Sequence, residues 1–577
     1  MSKKSTTFNA VPLAGSHRGA EPGKRLRPVH GNTQLDVSIQ FPTAGSAADI
    51  HYAITCPQIL PDRKLRKIFG AKTSHVQKAI KTATACGLKI EERTLGHKMF
   101  GVLHLSGRYT CMQKFFPGLD LGVYEVKVKK QKHEIVARVG SINVIDGLNI
   151  VGVYGMDERE VAHTNFRMGD PTETSELAVG HSPRRGRKPH PVDDGGTFPT
   201  NLTARGQAKV RGIPVDQLMN LTTVVTGYES LGGDNGKKMQ KDLALAAAFD
   251  GIKLNAGGMV GVNVDGTKLD GDYTDESTVE NILDALQHRL KNPNGHCLVF
   301  ATGNNDNSFA LGAETAVAYP GLKVGNKTLP LLAFSISWGM AESNNTPQTL
   351  QRWGRIYLAG RAKGLIMTAA TGDNGSTDNT DKDTPDSPAS TANCFGAAGV
   401  YIKVDANGKI VEIGVWNDLA AGGGATGGGI SATFPVQDYE KGLTIPVSGS
   451  TGAAGHSAST LAGIAAPACG PLVWWNGSAQ TKGKPFPVGG TSNAAPETAI
   501  DMALIQSQLK NRIKDMIGFV YTNFAAITDP ITVPGDNGDP TYKAGPGVVY
   551  SVSTGFGMIN WTKFLAVAKK IQDGVGA

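Results

Sequence analysis

The chain has 577 residues, too long for one core of ordinary size, so we expect at least two domains. It contains no run of about 18 apolar residues, so we expect no membrane span, and its first residues lack the apolar stretch of a signal peptide. Its six cysteines are scattered without a CxxC pair, which argues against a cysteine zinc site or a disulfide framework.

The charge is unevenly distributed along the chain. Residues 1–190 contain 29 Lys and Arg against 16 Asp and Glu, a formal charge of +13, whereas the remaining residues contain 29 against 34, or −5. The basic residues are spread through apolar periodic segments instead of forming one solvated cluster, so we expect no nucleic-acid partner. The asymmetry predicts a basic front module and an acidic body that attract each other.

The front module has the pattern of a small α+β domain. Residues 34–40 alternate as a strand does, and residues 76–83 carry apolar side chains at helical spacing. We predict a strand over 98–107, a helix over 109–116 and a hairpin over 123–139.

The chain divides into three regions by composition. We place the front module at residues 1–170 and a Pro-, Gly- and charge-rich linker, with the expected processing site, at 171–200. The body, residues 201–577, alternates short apolar runs with helical patterns such as 277–290 and 346–363. Such alternation is typical of a mostly parallel sheet covered by helices on both faces, with the functional site at the carboxyl ends of the strands.

A glycine-rich turn near the C-terminal end raises the question of nucleophilic catalysis. In "PVGGTSNAAPETA", Ser492 follows two glycines and a threonine and precedes a helical pattern. A serine hydroxyl needs a base to accept its proton before it attacks a carbonyl. "HGNT" at His30 lies in the front module, and the body offers only His288, His296 and His456, none in that context. The sequence therefore disfavours a Ser–His triad.

Carboxylates are the alternative base. In "DESTVENILDALQHRL", Glu280 and Asp284 are four residues apart and share one face of a predicted helix. Their repulsion raises at least one pKa and favours a shared proton. Glu276 and Glu280 have the same spacing, and geometry leaves that pair open. Asp373, in "TAATGDNGST", follows an apolar strand; it is either a neutral hydrogen-bond donor to an oxyanion or an Asx-turn residue.

Together these motifs resemble those of the sedolisin family of serine-carboxyl peptidases, kumamolisin-type precursors in particular, over nearly the whole chain. "VGGTSNAAP" implies that Ser492 is the nucleophile, and "ENILD" that Glu280 is the base and Asp284 its partner. The leucine at Leu283 favours this pair over Glu276 and Glu280. "AATGDNGST" implies that Asp373 stabilises the oxyanion.

The resemblance also implies the architecture. It indicates a subtilisin-like α/β catalytic domain with a mostly parallel sheet covered by helices, preceded by a small ferredoxin-like α+β prodomain that serves as inhibitor and folding aid. "SISWGMAE" resembles the family strand that carries Trp338, and "YESLGG" implies a further acid of the carboxylate network, Glu229.

The implied activity is that of an acid-active endopeptidase, made as an autoprocessing zymogen and acting on proteins or peptides. A tripeptidyl-peptidase and a non-catalytic scaffold of the same fold are the alternatives. The resemblance implies secretion or an acidic compartment, although no signal peptide is visible.

Calcium is the one expected cofactor whose ligands have changed. Family members bind it through two aspartates and several carbonyls, which would here be those of Ile527, Gly545 and Gly547. Ala526 and Val549 stand where the aspartates are expected. Because calcium prefers charged oxygen ligands, we expect it to be absent or weakly bound even with the nearby Asp529.

Overall fold

A computed structural model describes residues 9–91, 94–128, 131–169, 196–445 and 455–574. The chain forms two compact units: Met1–Ala162 with Thr302–Pro320 and Asn345–Lys363, and His163–Ala301 with Gly321–Asn344 and Gly364–Ala577. The domain boundaries at residues 170 and 200 stay predictions, because most of the predicted linker lies outside the described residues.

The helices of the described residues, in chain order, are α1 Ala47–Thr55, α2 Asp62–Phe69, α3 Thr73–Ala85, α4 Leu95–Phe100, α5 Tyr109–Phe115, α6 Ala204–Val210, α7 Val215–Leu218, α8 Lys237–Phe249, α9 Ser277–Lys291, α10 Ser308–Ala318, α11 Pro347–Lys363, α12 Thr491–Ser507, α13 Met516–Ile527 and α14 Trp561–Gln572.

The strands are β1 Ala10–Pro12, β2 Lys24–Pro28, β3 Gln34–Gln40, β4 Lys89–Ile90, β5 Val102–Arg108, β6 Leu121–Val128, β7 Gln131–Arg138, β8 Asn143–Ile145, β9 Gly152–Tyr154, β10 His163–Thr164, β11 Arg167–Met168, β12 Val225–Ser230, β13 Met259–Asn263, β14 His296–Ala301, β15 Leu322–Val324, β16 Lys327–Leu329, β17 Ala333–Ile336, β18 Trp338–Ala341, β19 Ile366–Ala370, β20 Asp386–Ser387, β21 Phe395–Val404, β22 Ile410–Val415, β23 Leu461–Ile464, β24 Leu472–Trp474, β25 Pro485–Gly489, β26 Thr528–Asp529 and β27 Met558–Ile559.

The first unit contains two antiparallel sheets, of order β4-β5-β3-β9 and β2-β6-β7. The strand β3, the helices α3 and α5, and the β6–β7 hairpin agree with the sequence prediction. The strand expected from residue 98 begins only at Val102, because Thr94 caps the short helix α4 ahead of it. The core includes Val37, Ile39 and Leu105, all fully buried.

Helices α10 and α11 belong to this first unit as well. The buried Arg352 of α11 pairs with Glu314 of α10 at 2.8 Å and lies over the Tyr154 ring. Gln348 bonds both backbone groups of Val153, so its amide extends the edge of β9. Such buried, fully satisfied groups fix the two helices against the α+β sheets of the same unit.

The second unit is built on a ten-stranded sheet of order β13-β14-β12-β17-β19-β21-β23-β27-β26, with β22 beside β21. The pairs from β13 through β27 are parallel, and β22 and β26 pair antiparallel. This confirms the α/β, subtilisin-like class. Helix α12 is buried from Thr491 to Gln506 and packs on β17, β19 and β23, while α9 packs beside it.

The described residues contain neither a disulfide nor a helix long and apolar enough to cross a membrane. All six cysteines lie within the described ranges, and five of them are buried.

Candidate active site

Ser492 is the second residue of α12, at the carboxyl ends of the parallel strands. Gly490, just before it, has φ 109°, and a Cβ there would collide with the carbonyl of Asn165 and with Oδ2 of Asp373. Only glycine tolerates that backbone and those neighbours together. Pro496 cannot donate to the carbonyl of Ser492 one turn earlier, and that carbonyl lies 3.2 Å from the Ser337 hydroxyl.

Glu280 is the hydrogen-bond acceptor of the Ser492 hydroxyl. The Oγ of Ser492 donates to Oε2 of Glu280 at 2.8 Å, and both side chains are fully buried. Burial first, and the neighbouring Asp284 second, hold the pKa of Glu280 well above its usual range. Glu276 is exposed at the N-cap position of α9, so the geometry favours Glu280 with Asp284 over Glu276 with Glu280.

Asp284 lies one turn further along α9 and is also fully buried. It accepts a hydrogen bond of 2.6 Å from the hydroxyl of Ser337, which lies between β17 and β18. Burial raises the pKa of Asp284 as well, against the opposing effect of this hydrogen bond. Two neighbouring buried carboxyls with raised pKa values can share one proton in mild acid, which leaves the pair able to accept another.

Asp373 follows β19 and has one oxygen fixed and one oriented toward the reacting groups. Its Oδ1 accepts from the backbone N–H and the hydroxyl of Thr491 at 2.7 and 2.9 Å. Burial raises the pKa of Asp373 to about 7. Its Oδ2 flanks Gly490 together with the carbonyl of Asn165. A protonated Asp373 can therefore donate toward that carbonyl.

A segment of the chain itself, His163–Met168, lies across Ser492. The Ser492 N–H donates to the Asn165 carbonyl at 2.8 Å, and the Asn165 N–H donates to the Ser492 Oγ at 3.1 Å. On one side β10 pairs antiparallel with β18, and on the other β11 pairs antiparallel with β25. Antiparallel pairing around a serine is how an extended peptide would be held for attack.

The two supporting residues predicted from the sequence are also placed. Trp338 begins β18, is buried, and pairs through its backbone with Thr164. Glu229 is fully buried in β12, next to β17 in the sheet. Its membership of the carboxylate network stays a prediction.

The histidines of the body lie outside this cluster. His288 stacks on Tyr228 and lies 3.3 Å from Ser335, and burial lowers its pKa to about 3. His456 contacts Glu440 at 2.7 Å. The described hydrogen bonds of the Ser492 hydroxyl involve Glu280, Ser337 and Asn165, and no histidine.

Comparison with known proteins finds a sequence relative and a structural neighbour. The chain is 28% identical over 499 residues to kumamolisin of Bacillus sp. (strain MN-32), covering 85% of this chain and 82% of that protein. This similarity supports the resemblance to kumamolisin-like serine-type peptidases of the sedolisin family. No family model matches it.

A solved structure supports the sedolisin fold separately. Pseudomonas sedolisin, a serine-carboxyl proteinase complexed with two molecules of pseudo-iodotyrostatin, matches with a TM-score of 0.52 at 19% identity. The match covers 65% of this chain and 99% of that one. At this identity it shows the fold alone.

The calcium-binding residues expected of a sedolisin do not fit the ion here. The carboxylate of Asp529 accepts from the Asn560 amide and from the Lys563 ammonium at 2.8 Å, while the Ile527 carbonyl accepts from the Asn560 N–H. Val549 is 62% exposed and offers no ligand. A site that lacks both aspartates and already holds an ammonium group is unsuited to a hard divalent cation.

Sequence reasoning missed three contributors to the sedolisin-like site. Ser337 and Thr491 lie inside the quoted motifs "SISWGMAE" and "GGTSNAAP", where their neighbours Trp338 and Ser492 were singled out instead. Asn165 carries no local signal, because its contact with Ser492 spans 327 residues.

Proposed function

We propose that this protein is a serine-carboxyl endopeptidase in which Ser492 attacks the peptide carbonyl and Glu280 accepts its proton. The observation that carries this is the 2.8 Å hydrogen bond from the Ser492 hydroxyl to a buried carboxylate. Asp284, bonded to Ser337, shares the negative charge and holds Glu280 in its working state. Glu280 then returns the proton to the leaving amine, and water completes the cycle by the same route.

Asp373 and the Ser492 N–H form the proposed oxyanion site. As the carbonyl oxygen gains charge, the Ser492 N–H and the protonated Asp373 carboxyl donate to it, and Thr491 keeps Asp373 in place. This donor exists only while Asp373 holds its proton, and the pKa of that group is about 7. We therefore expect activity in acid and its loss as pH rises through about 7.

The path of the chain supports an endopeptidase over a tripeptidyl-peptidase. The segment His163–Met168 forms paired backbone on both sides of Ser492, with β18 before it and β25 after it. A polypeptide can therefore lie across the serine without ending there.

Single substitutions test the proposal on a quenched peptide at about pH 4. Ser492→Ala should lower kcat by about 10⁴-fold or more and Glu280→Gln by about 10³-fold, because the nucleophile and its base act as one unit. The controls are Ser507→Ala, at the far end of α12, and Glu276→Gln, at the exposed start of α9. Equal activity of Ser492→Ala and wild type would exclude this site, and inactivity of the wild type from acid to neutral pH would favour the scaffold.

We also propose that the protein is made as a zymogen that cuts its own chain first between Asn165 and Phe166. The Asn165 carbonyl accepts from the Ser492 N–H, as the carbonyl of a bond about to be cleaved would. The processing site predicted within 171–200 lies mostly outside the described residues and would serve a later trimming step.

Intact-mass spectrometry after acidification tests this step. The wild type should yield a fragment that begins at Phe166, whereas Ser492→Ala should stay intact. A first cut anywhere else in the wild type would overturn the assignment of the bond while leaving the peptidase proposal standing.

A further inference from the structure

Three side chains beside the active site form a group that the proposed chemistry does not use. One nitrogen of His163 and one oxygen each of Asp378 and Asp386 lie within 4.8 Å of one another. His163 belongs to β10, on the segment that covers Ser492, and the two aspartates belong to the loop after Asp373 and to β20. The group therefore joins the segment to the body of the same unit.

Both aspartates of the group are buried carboxylates. Asp386 is fully buried and Asp378 is 4% exposed. Among the described residues, no lysine or arginine forms an ion pair with either carboxylate, and no donor makes a hydrogen bond of normal geometry to either oxygen of Asp386 or to Oδ2 of Asp378. Asn165 and Asp378 do lie close enough to influence the pKa of Asp386. Buried carboxylates ordinarily pair with a cation, coordinate a metal or hold a proton.

The surroundings hold these ligand atoms in position. The Asn374 amide donates to Oδ1 of Asp378 at 3.3 Å and itself accepts from Arg167 at 2.7 Å. Asp386 lies against Gly339, where a Cβ would collide with its carboxylate, and Gly339 is the backbone partner of His163. In known metal sites, contacts of this kind from residues that do not touch the metal orient its ligands. His163 is exposed, which gives an ion a path from solvent.

We propose that His163, Asp378 and Asp386 bind one Zn²⁺ ion, and that the ion fastens the segment His163–Met168 over Ser492. One imidazole nitrogen with two carboxylate oxygens is a ligand set that zinc accepts, with water in the fourth position, whereas calcium and magnesium favour oxygen alone. Ligand atoms of tetrahedral zinc are roughly 3.4 Å apart, so the observed spread of up to 4.8 Å closes by small side-chain rotations. The ion would offset both buried negative charges.

Zinc binding is tested on full-length Ser492→Ala, which cannot cut itself and so separates this proposal from the proposed function. After chelation and dialysis at pH 7, calorimetric titration with ZnCl₂ should show one ion per chain. His163→Ala and Asp386→Asn, each added to Ser492→Ala, should weaken binding by more than about tenfold. His51→Ala, at an exposed histidine that is not part of this group, is the control and should bind as the parent does.

Two results of the titration would overturn the zinc site. Absence of stoichiometric binding, or binding unchanged by His163→Ala, overturns the site and leaves a proton shared by the two carboxyls. Because His163 is exposed, that variant should fold normally, and circular dichroism checks the buried Asp386→Asn.

A separate measurement tests whether zinc holds the segment His163–Met168 over Ser492. This part of the proposal rests on the proposed function. At about pH 6, stoichiometric ZnCl₂ should slow release of the Phe166 fragment from wild type and not from His163→Ala. Equal slowing in both, or none in either, overturns the fastening. Failure of wild type to cut without zinc would instead count against the proposed function.

Discussion

Asp373 differs from the other three proposed catalytic residues because its proposed role is to donate a hydrogen bond from its protonated carboxyl to the oxyanion. Its Oδ1 is fixed by two donors from Thr491, and burial raises its pKa to about 7. The upper pH limit of activity should therefore report this carboxyl, whereas the reactivity of Ser492 reports Glu280 and Asp284.

Substitution of Asp373 separates these contributions. Asp373→Ala should lower kcat by about 10²- to 10³-fold, the usual effect of removing one oxyanion donor. Asp373→Asn keeps an N–H donor that does not titrate, so it should retain more activity than Asp373→Ala and lose the decline near pH 7. Initial rates from pH 3 to 9 measure this. A decline at the same pH in Asp373→Asn and wild type would show that another group sets the limit.

Some residues of the site could be predicted from the sequence and others could not. Ser492, Glu280 and Asp284 are detectable because a glycine-rich turn before a helix and a four-residue carboxylate spacing are local patterns. The hydrogen bond from Ser337 to Asp284 joins positions 53 residues apart, so it depends on how β17 and α9 pack. Local pattern carries no information about such a contact.

At the scale of elements, α9 and α12 carry the proposed base and nucleophile, and a buried charge cluster joins them. Lys291 of α9 contacts Asp501 of α12 at 2.8 Å, and Arg211 contacts Asp501 and Glu497 at 2.6 and 2.7 Å. These side chains are at most 4% exposed. Removing one partner of such a cluster leaves a buried charge uncompensated.

Lys291→Met should therefore destabilise the protein by about 3–5 kcal/mol, the typical effect of breaking a buried ion pair. Urea unfolding of Ser492→Ala with and without this change measures the shift in midpoint. Lys569→Met, at an exposed position of α14, is the control and should shift it little. Similar midpoints for the two variants would mean that Arg211 alone balances both acids.

The order of the elements in the sheet lay beyond sequence reasoning. Strand–helix alternation predicted a parallel sheet, and β12, β14, β17 and β19 form one. Their spatial order and the antiparallel strand β22 depend on long-range packing. The strand prediction from residue 98 failed for a local reason, since a capping threonine began a short helix there.

At the scale of the whole molecule, the buried acids link stability to pH. Glu280, Asp284 and Asp373 all have pKa values raised by burial, so the folded protein holds protons that the unfolded chain releases. The stability that these protons contribute is fully present below about pH 4, near the pKa of such groups in the unfolded chain. It is lost as the pH rises through their pKa values in the folded protein.

Stability should therefore decrease between about pH 4 and pH 7 because of these groups. Asp373 alone, raised from 3.8 to about 7, accounts for a few kcal/mol at about 1.4 kcal/mol per pKa unit. The melting temperature of Ser492→Ala, followed from pH 4 to 8, should fall relative to that of Ser492→Ala with Asp373→Asn. A difference that is constant across this range would contradict the linkage.

The most direct measurement is the pH dependence of peptide hydrolysis by wild type beside Ser492→Ala. A carboxylate base and a protonated Asp373 predict activity that is high in acid, declines through about pH 7 and is absent at every pH in Ser492→Ala. Activity that rises from pH 6 to a plateau above pH 8, or that persists in Ser492→Ala, would contradict a serine-carboxyl site built on Glu280.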